Sequence, residues 1–344
     1  MFSLFYRSVA KLCATTIALV VAPIAMPLHA DPATFKSVDI TASGPAGELA
    51  GTLLMPGDVE PPYNTVLILP GSGPTDRDGN NSGSVKASSY RLLAEALAED
   101  GIASVRIDKR GLGESANAAD GNDVSLERYA DDVASWLGVV ADTPQLTGDV
   151  WVIGHSEGGL IALTTTERKL DNLRALVLLT SAGRKVGIIL REQLAANPAN
   201  APILEEAFAA IETLERGESV DPETLPPALR PLFHISVQQY LGELIRFDPS
   251  AALRRLGEGD SPLPVLIVHG GRDIQVSTAD AQALAQSRPD AKFVTIGDMN
   301  HVLKSVPEDD RSANLAAYSN PDLPIVQQLV ETLTEFIHDT RQSR

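Results

Sequence analysis

The sequence predicts an α/β fold: a mostly parallel, mixed sheet with helices on both faces. Three observations carry that reading. Short apolar runs bounded by turn residues alternate with stretches of helical spacing along much of the 344-residue chain, which implies parallel strands joined by right-handed helical crossovers. Two leading segments that alternate apolar and polar residues add an antiparallel edge, so the sheet is mixed. The alternation stops once, between about residues 184 and 259, where helical spacing and clustered prolines take over.

In order, Phe35 to Ser43 and Gly47 to Met55 flank a Gly-Pro turn and read as a hairpin. Thr65 to Leu69 is the first buried strand, followed by a polar loop and a helix over 88–99. Ile102 to Ile107 and Val150 to Ile153 are strands separated by a helix over 126–140. A helix over 158–169 leads to the strand Ala175 to Leu179. Within the interruption, Leu204, Phe208, Ile211 and Leu214 keep helical spacing, so 184–259 is a helical insertion into a core made of 31–183 and 260–344. The core resumes with Val265 to Val268, a helix over 278–286, the strand Phe293 to Ile296 and a last helix over 325–338.

Residues 1–30 are set apart. Arg7 and Lys11 precede a largely apolar stretch that ends in Leu28-His29-Ala30, the pattern of a secretory signal peptide cleaved after Ala30. A periplasmic or secreted location is therefore expected. Without that segment the net charge moves from −17 to −19, a balance that repels nucleic-acid phosphates and anionic headgroups. Neither nucleic-acid binding nor stable membrane association is expected. The single cysteine, Cys13, lies in the same segment, so disulfides, thiol catalysis and cysteine–metal sites are excluded from the mature chain.

The sharpest motif is Gly154-His155-Ser156-Glu157-Gly158-Gly159, placed between an apolar strand and a helix. So tight a turn needs glycines around the serine and lifts its hydroxyl above the sheet edge. The helix that follows aims its positive end at the same place. Ser156 is thus the candidate nucleophile, and a serine hydroxyl needs a base oriented by an acid. Of the six histidines, His301 lies in a loop after the last strand, where it can reach back over the carboxyl edge. Asp273 follows the strand 265–268 through His269-Gly270-Gly271-Arg272, giving the order Ser156, Asp273, His301; Asp298 is the runner-up acid. For the oxyanion, the backbone N–H groups of Glu157 and of Ser72, in Pro70-Gly71-Ser72-Gly73-Pro74, are the expected donors.

Three rival readings of the loops are set aside. Gly71-x-Gly73 lacks the third glycine and the Gly-Lys-Ser/Thr of a phosphate cradle. The run Asp76-Arg77-Asp78-Gly79-Asn80 fails as a calcium loop, because counting from Asp76 puts Asn81 and Ala87 where glycine and glutamate belong. Asp108-Lys109-Arg110-Gly111-Leu112-Gly113 reads as a turn fixed by ion pairing and glycine conformations.

Together the segment 69–80, the run 108–115, the elbow 154–159, Gly271-Arg272-Asp273 and Asn300-His301 resemble the α/β-hydrolase superfamily over roughly residues 35–340. Within it they are similar to bacterial esterases, including feruloyl and cinnamoyl esterase-like enzymes, and to the related serine aminopeptidases. The resemblance implies the α/β-hydrolase fold with residues 184–259 as a lid, and cleavage of esters of small or medium acyl groups through an acyl-enzyme. It implies no cofactor and no metal, and a small-molecule ester as partner. Pro70 departs from the pattern, standing where a histidine often precedes the oxyanion-loop glycine. An aminopeptidase-type amide hydrolase and a non-catalytic binding protein on the same fold are the alternatives.

Overall fold

A computed structural model describes residues 35–83, 85–118, 124–258 and 262–341. The apolar segment ending at Ala30, and with it the signal reading, lies outside the described residues. Eight strands form one sheet: β1 (Phe35–Gly44), β2 (Gly47–Pro56), β3 (Tyr63–Leu69), β4 (Ala103–Ile107), β5 (Leu146–His155), β6 (Leu173–Leu179), β7 (Val265–Gly270) and β8 (Lys292–Ile296). Their order is β1-β2-β4-β3-β5-β6-β7-β8. The hairpin β1–β2 and the β2–β4 pair are antiparallel, whereas every pair from β4 to β8 is parallel. The mixed sheet expected from the sequence is therefore present.

The central strands are apolar on both sides because helices cover both faces. Val66 and Ile68 of β3, Trp151 and Ile153 of β5 and Val177 of β6 pack beneath α1 (Ser89–Glu99) and α10 (Gln327–Arg341), with Leu93, Leu97, Leu333 and Phe336. The alternate residues Leu67, Leu69, Val152 and Leu178 face α2 (Leu126–Ala141) and α3 (Glu157–Thr166), with Val133, Trp136, Leu160 and Ile161. Each such buried aliphatic side chain stabilises the fold by about 1.5–3 kcal/mol relative to exposure. Ser125 starts α2 by accepting the Arg128 N–H on its side-chain oxygen at 3.1 Å.

Between β6 and β7 the chain leaves the sheet for α4 (Val186–Ala196), α5 (Leu204–Glu215), α6 (Ile235–Arg246) and α7 (Pro249–Leu256). Part of this insertion has a core of its own, built from Ala207, Ile211, Leu214, Leu229, Phe233 and Ile245. The Arg191–Glu215 pair at 2.6 Å ties α4 to α5. After β7 come α8 (Thr278–Ser287) and, past β8, the short α9 (Arg311–Ala317), which the sequence pattern did not predict. Among the described residues no helix is long and apolar enough to cross a membrane.

Candidate active site

Because β3 to β8 run parallel, the loops after β3, β4, β5 and β7 all emerge at one edge of the sheet. Ser156 joins β5 to α3 with φ 54° and ψ −120°, a conformation that non-glycine residues hold only where the surroundings enforce it. The glycines around it explain how. A Cβ on Gly154 would run into the Gly158 carbonyl, one on Gly158 into the Leu69 carbonyl, and one on Gly159 into the Ser181 hydroxyl. The strand can therefore turn directly into the helix only with glycine at these three positions. Glu157 opens α3, whose first amides point out of the helix end.

His301 and Asp273 come together as the sequence order implied. Nδ1 of His301 lies 2.7 Å from Oδ2 of Asp273. The other carboxylate oxygen of Asp273 accepts the backbone N–H groups of Gln275 at 2.7 Å and Val276 at 2.9 Å. Burial pushes the Asp273 carboxyl up, but His301 and these backbone donors outweigh it and hold the group below its ordinary value. Asp298, the runner-up, instead accepts the Ser305 hydroxyl.

The loop of Gly71 and Ser72, from which an oxyanion donor is expected, lies against Ser156: a Cβ on Gly71 would stand 3.3 Å from the Ser156 Cβ and 3.3 Å from the His155 Nδ1. Ser72 and Gly73 line the same cavity as Ser156 and Glu157. That cavity measures about 670 Å³ and is closed on one side by Val186, Ile189 and Leu190 of α4 and by Tyr240, Leu241 and Leu244 of α6.

Two features had no clear sequence signal. Lys109, read as part of a turn, is buried in the cavity wall; its ammonium donates to the Gly71 carbonyl at 2.8 Å and to Glu157 Oε1 at 3.3 Å. The turn reading does describe its neighbours. Asp108 accepts Arg77 at 2.7 Å, and Arg110 pairs with Asp132 at 2.6 Å. Gly113, at φ 51°, leaves space that a side chain would take from Asp108. The Asp76 carboxylate closes its own loop by accepting the N–H groups of Asp78 at 2.9 Å and Asn80 at 2.8 Å. The second feature is His155, whose ring stacks in a tilted arrangement 4.8 Å from that of His301.

Burial, helped by repulsion from His301, pushes His155 from its ordinary 6.5 down to about 3. Burial lowers His269 as well. Between those two values the unfolded chain binds a proton that folded His155 refuses, so the contribution is complete above pH 6.5 and lost as pH falls toward 3. From pH 6.5 to 5 the contribution of His155 is expected to fall by about 1.5 kcal/mol, at roughly 1.4 kcal/mol per pH unit once the unfolded histidine is fully protonated, an effect that the burial-raised carboxyls of Asp132 and Glu243 oppose. Urea unfolding at those two pH values measures it. A His155→Gln variant with the same dependence of its midpoint on pH would contradict the buried neutral imidazole.

Comparison with known proteins gives a consistent placement. Residues 83–211 match the family model described as serine aminopeptidase, S33. Over 287 residues the chain is 26% identical to esterase EstD of Thermotoga maritima, covering 81% of this chain and 63% of that protein's length. Est1E of Butyrivibrio proteoclasticus, solved with ferulic acid bound, superposes with a TM-score of 0.54 at 19% identity, covering 88% of this chain and 99% of that one. The proline iminopeptidase of Mycobacterium smegmatis superposes with a TM-score of 0.56 at 14% identity, over 89% of this chain and 99% of that one.

Proposed function

The chain is an α/β-hydrolase by fold, and from that premise we propose that it is a serine hydrolase of uncharged carboxylic esters with small or medium acyl groups. The observation that carries this reading is the His301–Asp273 hydrogen bond of 2.7 Å at the sheet edge where the strained Ser156 turn also emerges. In the proposed reaction His301 Nε2 takes the Ser156 hydroxyl proton as Oγ attacks the ester carbonyl carbon. The N–H groups of Glu157 and Ser72 hold the resulting oxyanion. Collapse breaks the ester bond, and His301 returns the proton to the departing alcohol. A water deprotonated by His301 then cleaves the acyl-enzyme and releases the acid.

The aminopeptidase reading is favoured by the family model over residues 83–211, but the cavity's charges favour an ester. An aminopeptidase must hold the ammonium of its substrate's first residue, which calls for an unneutralised carboxylate. Among the described residues lining the cavity, Glu157 is the one carboxylate, and Lys109 sits 3.3 Å from it. The rest of the wall is mainly aliphatic and suits an acyl chain. In this reading the helices α4 to α6 serve as the lid over that chain. The expected result is that p-nitrophenyl butyrate is turned over at least about 100-fold faster, by kcat/KM, than aminoacyl p-nitroanilides. That ratio is the discrimination imposed by leaving a buried ammonium unpaired, about 3 kcal/mol. A preference for the anilides would overturn the ester assignment while keeping the serine chemistry.

A further inference from the structure

The reaction needs three segments held in register: the loop of Gly71 and Ser72, the turn of Ser156, and the loop of His301. They are far apart in sequence. Two buried side chains, Tyr90 and His155, link them. Tyr90, the second residue of α1, is 3% exposed. Its hydroxyl oxygen lies 2.9 Å from the Gly71 backbone nitrogen and 2.8 Å from Nδ1 of His155. Across the imidazole, Nε2 of His155 lies 2.9 Å from the carbonyl oxygen of His301.

The partners fix the direction of every bond. A backbone carbonyl can only accept, so His155 carries its proton on Nε2. A neutral ring then leaves Nδ1 as an acceptor. The Gly71 N–H can only donate, so the Tyr90 oxygen receives that hydrogen and passes its own to Nδ1. Burial favours the uncharged form of both rings, lowering His155 and raising Tyr90. The result is a one-way chain from the oxyanion loop, through the residue preceding the nucleophile, to the histidine loop. The rings also meet, Tyr90 edge-on to His155 at 5.4 Å.

We propose that Tyr90 is a positioning residue: through Gly71 and His155 its hydroxyl sets the oxyanion loop and the His301 loop relative to Ser156. The proposal rests on the serine-hydrolase reading above. It assigns Tyr90 no contact with substrate; the phenol acts through groups that have one. Its ring belongs to the core with Val66, Ile68 and Leu93, so removing the hydroxyl alone separates packing from positioning.

The test is Tyr90→Phe in the full chain, with rates counted per active site by fluorophosphonate titration and folding followed by circular dichroism. Turnover of p-nitrophenyl butyrate should fall about 10- to 100-fold in kcat, with KM changed less than about 3-fold, because the loss is one of alignment in the transition state. The affinity for phenylboronic acid, whose tetrahedral adduct on Ser156 uses the same donors, should fall by a similar factor. A kcat within about 3-fold of wild type overturns the proposal. So does a lower kcat with unchanged boronate affinity, which would mark a defect outside the oxyanion geometry. A wild-type chain inert to esters and to fluorophosphonate would instead sink the serine-hydrolase reading, and this proposal with it.

Discussion

Replacing Ser156 by alanine is expected to lower kcat on p-nitrophenyl esters by about 10⁵-fold or more while leaving the protein folded. The size follows from the role proposed above: without the hydroxyl no acyl-enzyme could form, and only binding and oxyanion donors would remain to assist direct attack by water. That the fold survives follows from the local structure. The Ser156 side chain makes no capping bond to α3, and alanine keeps the same Cβ in the same backbone conformation. The melting temperature should thus stay within a degree or two of wild type, given that about 1 kcal/mol shifts a large domain by only a few degrees. Fluorophosphonate labelling and ester turnover measure the effect together. Retention of more than about 1% of the turnover, or equal labelling of the variant, would place the nucleophile elsewhere.

Much of this arrangement was legible in the sequence because parallel strands place their carboxyl ends along one edge. Once Val150 to Ile153 and Val265 to Val268 are read as buried parallel strands, the residues that follow them emerge along the same edge of the sheet. Ser156 and Asp273 are such residues, and His301 follows the strand after them. Contacts across the layers were less legible. Tyr90 looks like any aromatic residue on the apolar face of an amphipathic helix, and its ring does pack there. What distinguishes it is the hydroxyl against Gly71 and His155, 19 and 65 residues away. Lys109 was hidden differently. Its neighbours Asp108 and Arg110 do form the ion pairs expected of a structural turn, whereas Lys109 points into the cavity toward Glu157. A periodic pattern tells which face of an element is buried; it carries no information on which polar atoms meet beyond that face.

The substitution Asp273→Asn is expected to cost about 10³- to 10⁴-fold in kcat at neutral pH, a loss larger than the exchange of one oxygen for an NH₂ group suggests. The two carboxylate oxygens of Asp273 have different neighbours. One receives the N–H groups of Gln275 and Val276 at 2.7 and 2.9 Å, and the other faces Nδ1 of His301 at 2.7 Å. An asparagine amide has one orientation that fits, with its oxygen toward the two backbone donors, since the reverse sets N–H against N–H. Its NH₂ group then points at Nδ1 of His301, which must become an acceptor. The imidazole proton moves to Nε2, and the ring would present a donor to Ser156 where the proposed reaction needs a base. Because the two backbone donors stay satisfied, the stability lost at neutral pH should be confined to the contribution of the missing charge. The charge lost is one whose contribution is present above the ordinary carboxyl value of 3.8 and fades as pH falls through the lower folded value, so the variant should lose less stability than wild type in that acid range. Ester kinetics with nitrogen-15 spectra of the histidine rings test both parts. Turnover above about 10% of wild type, or a ring that keeps its proton on Nδ1, would show that Asp273 does not set the state of His301.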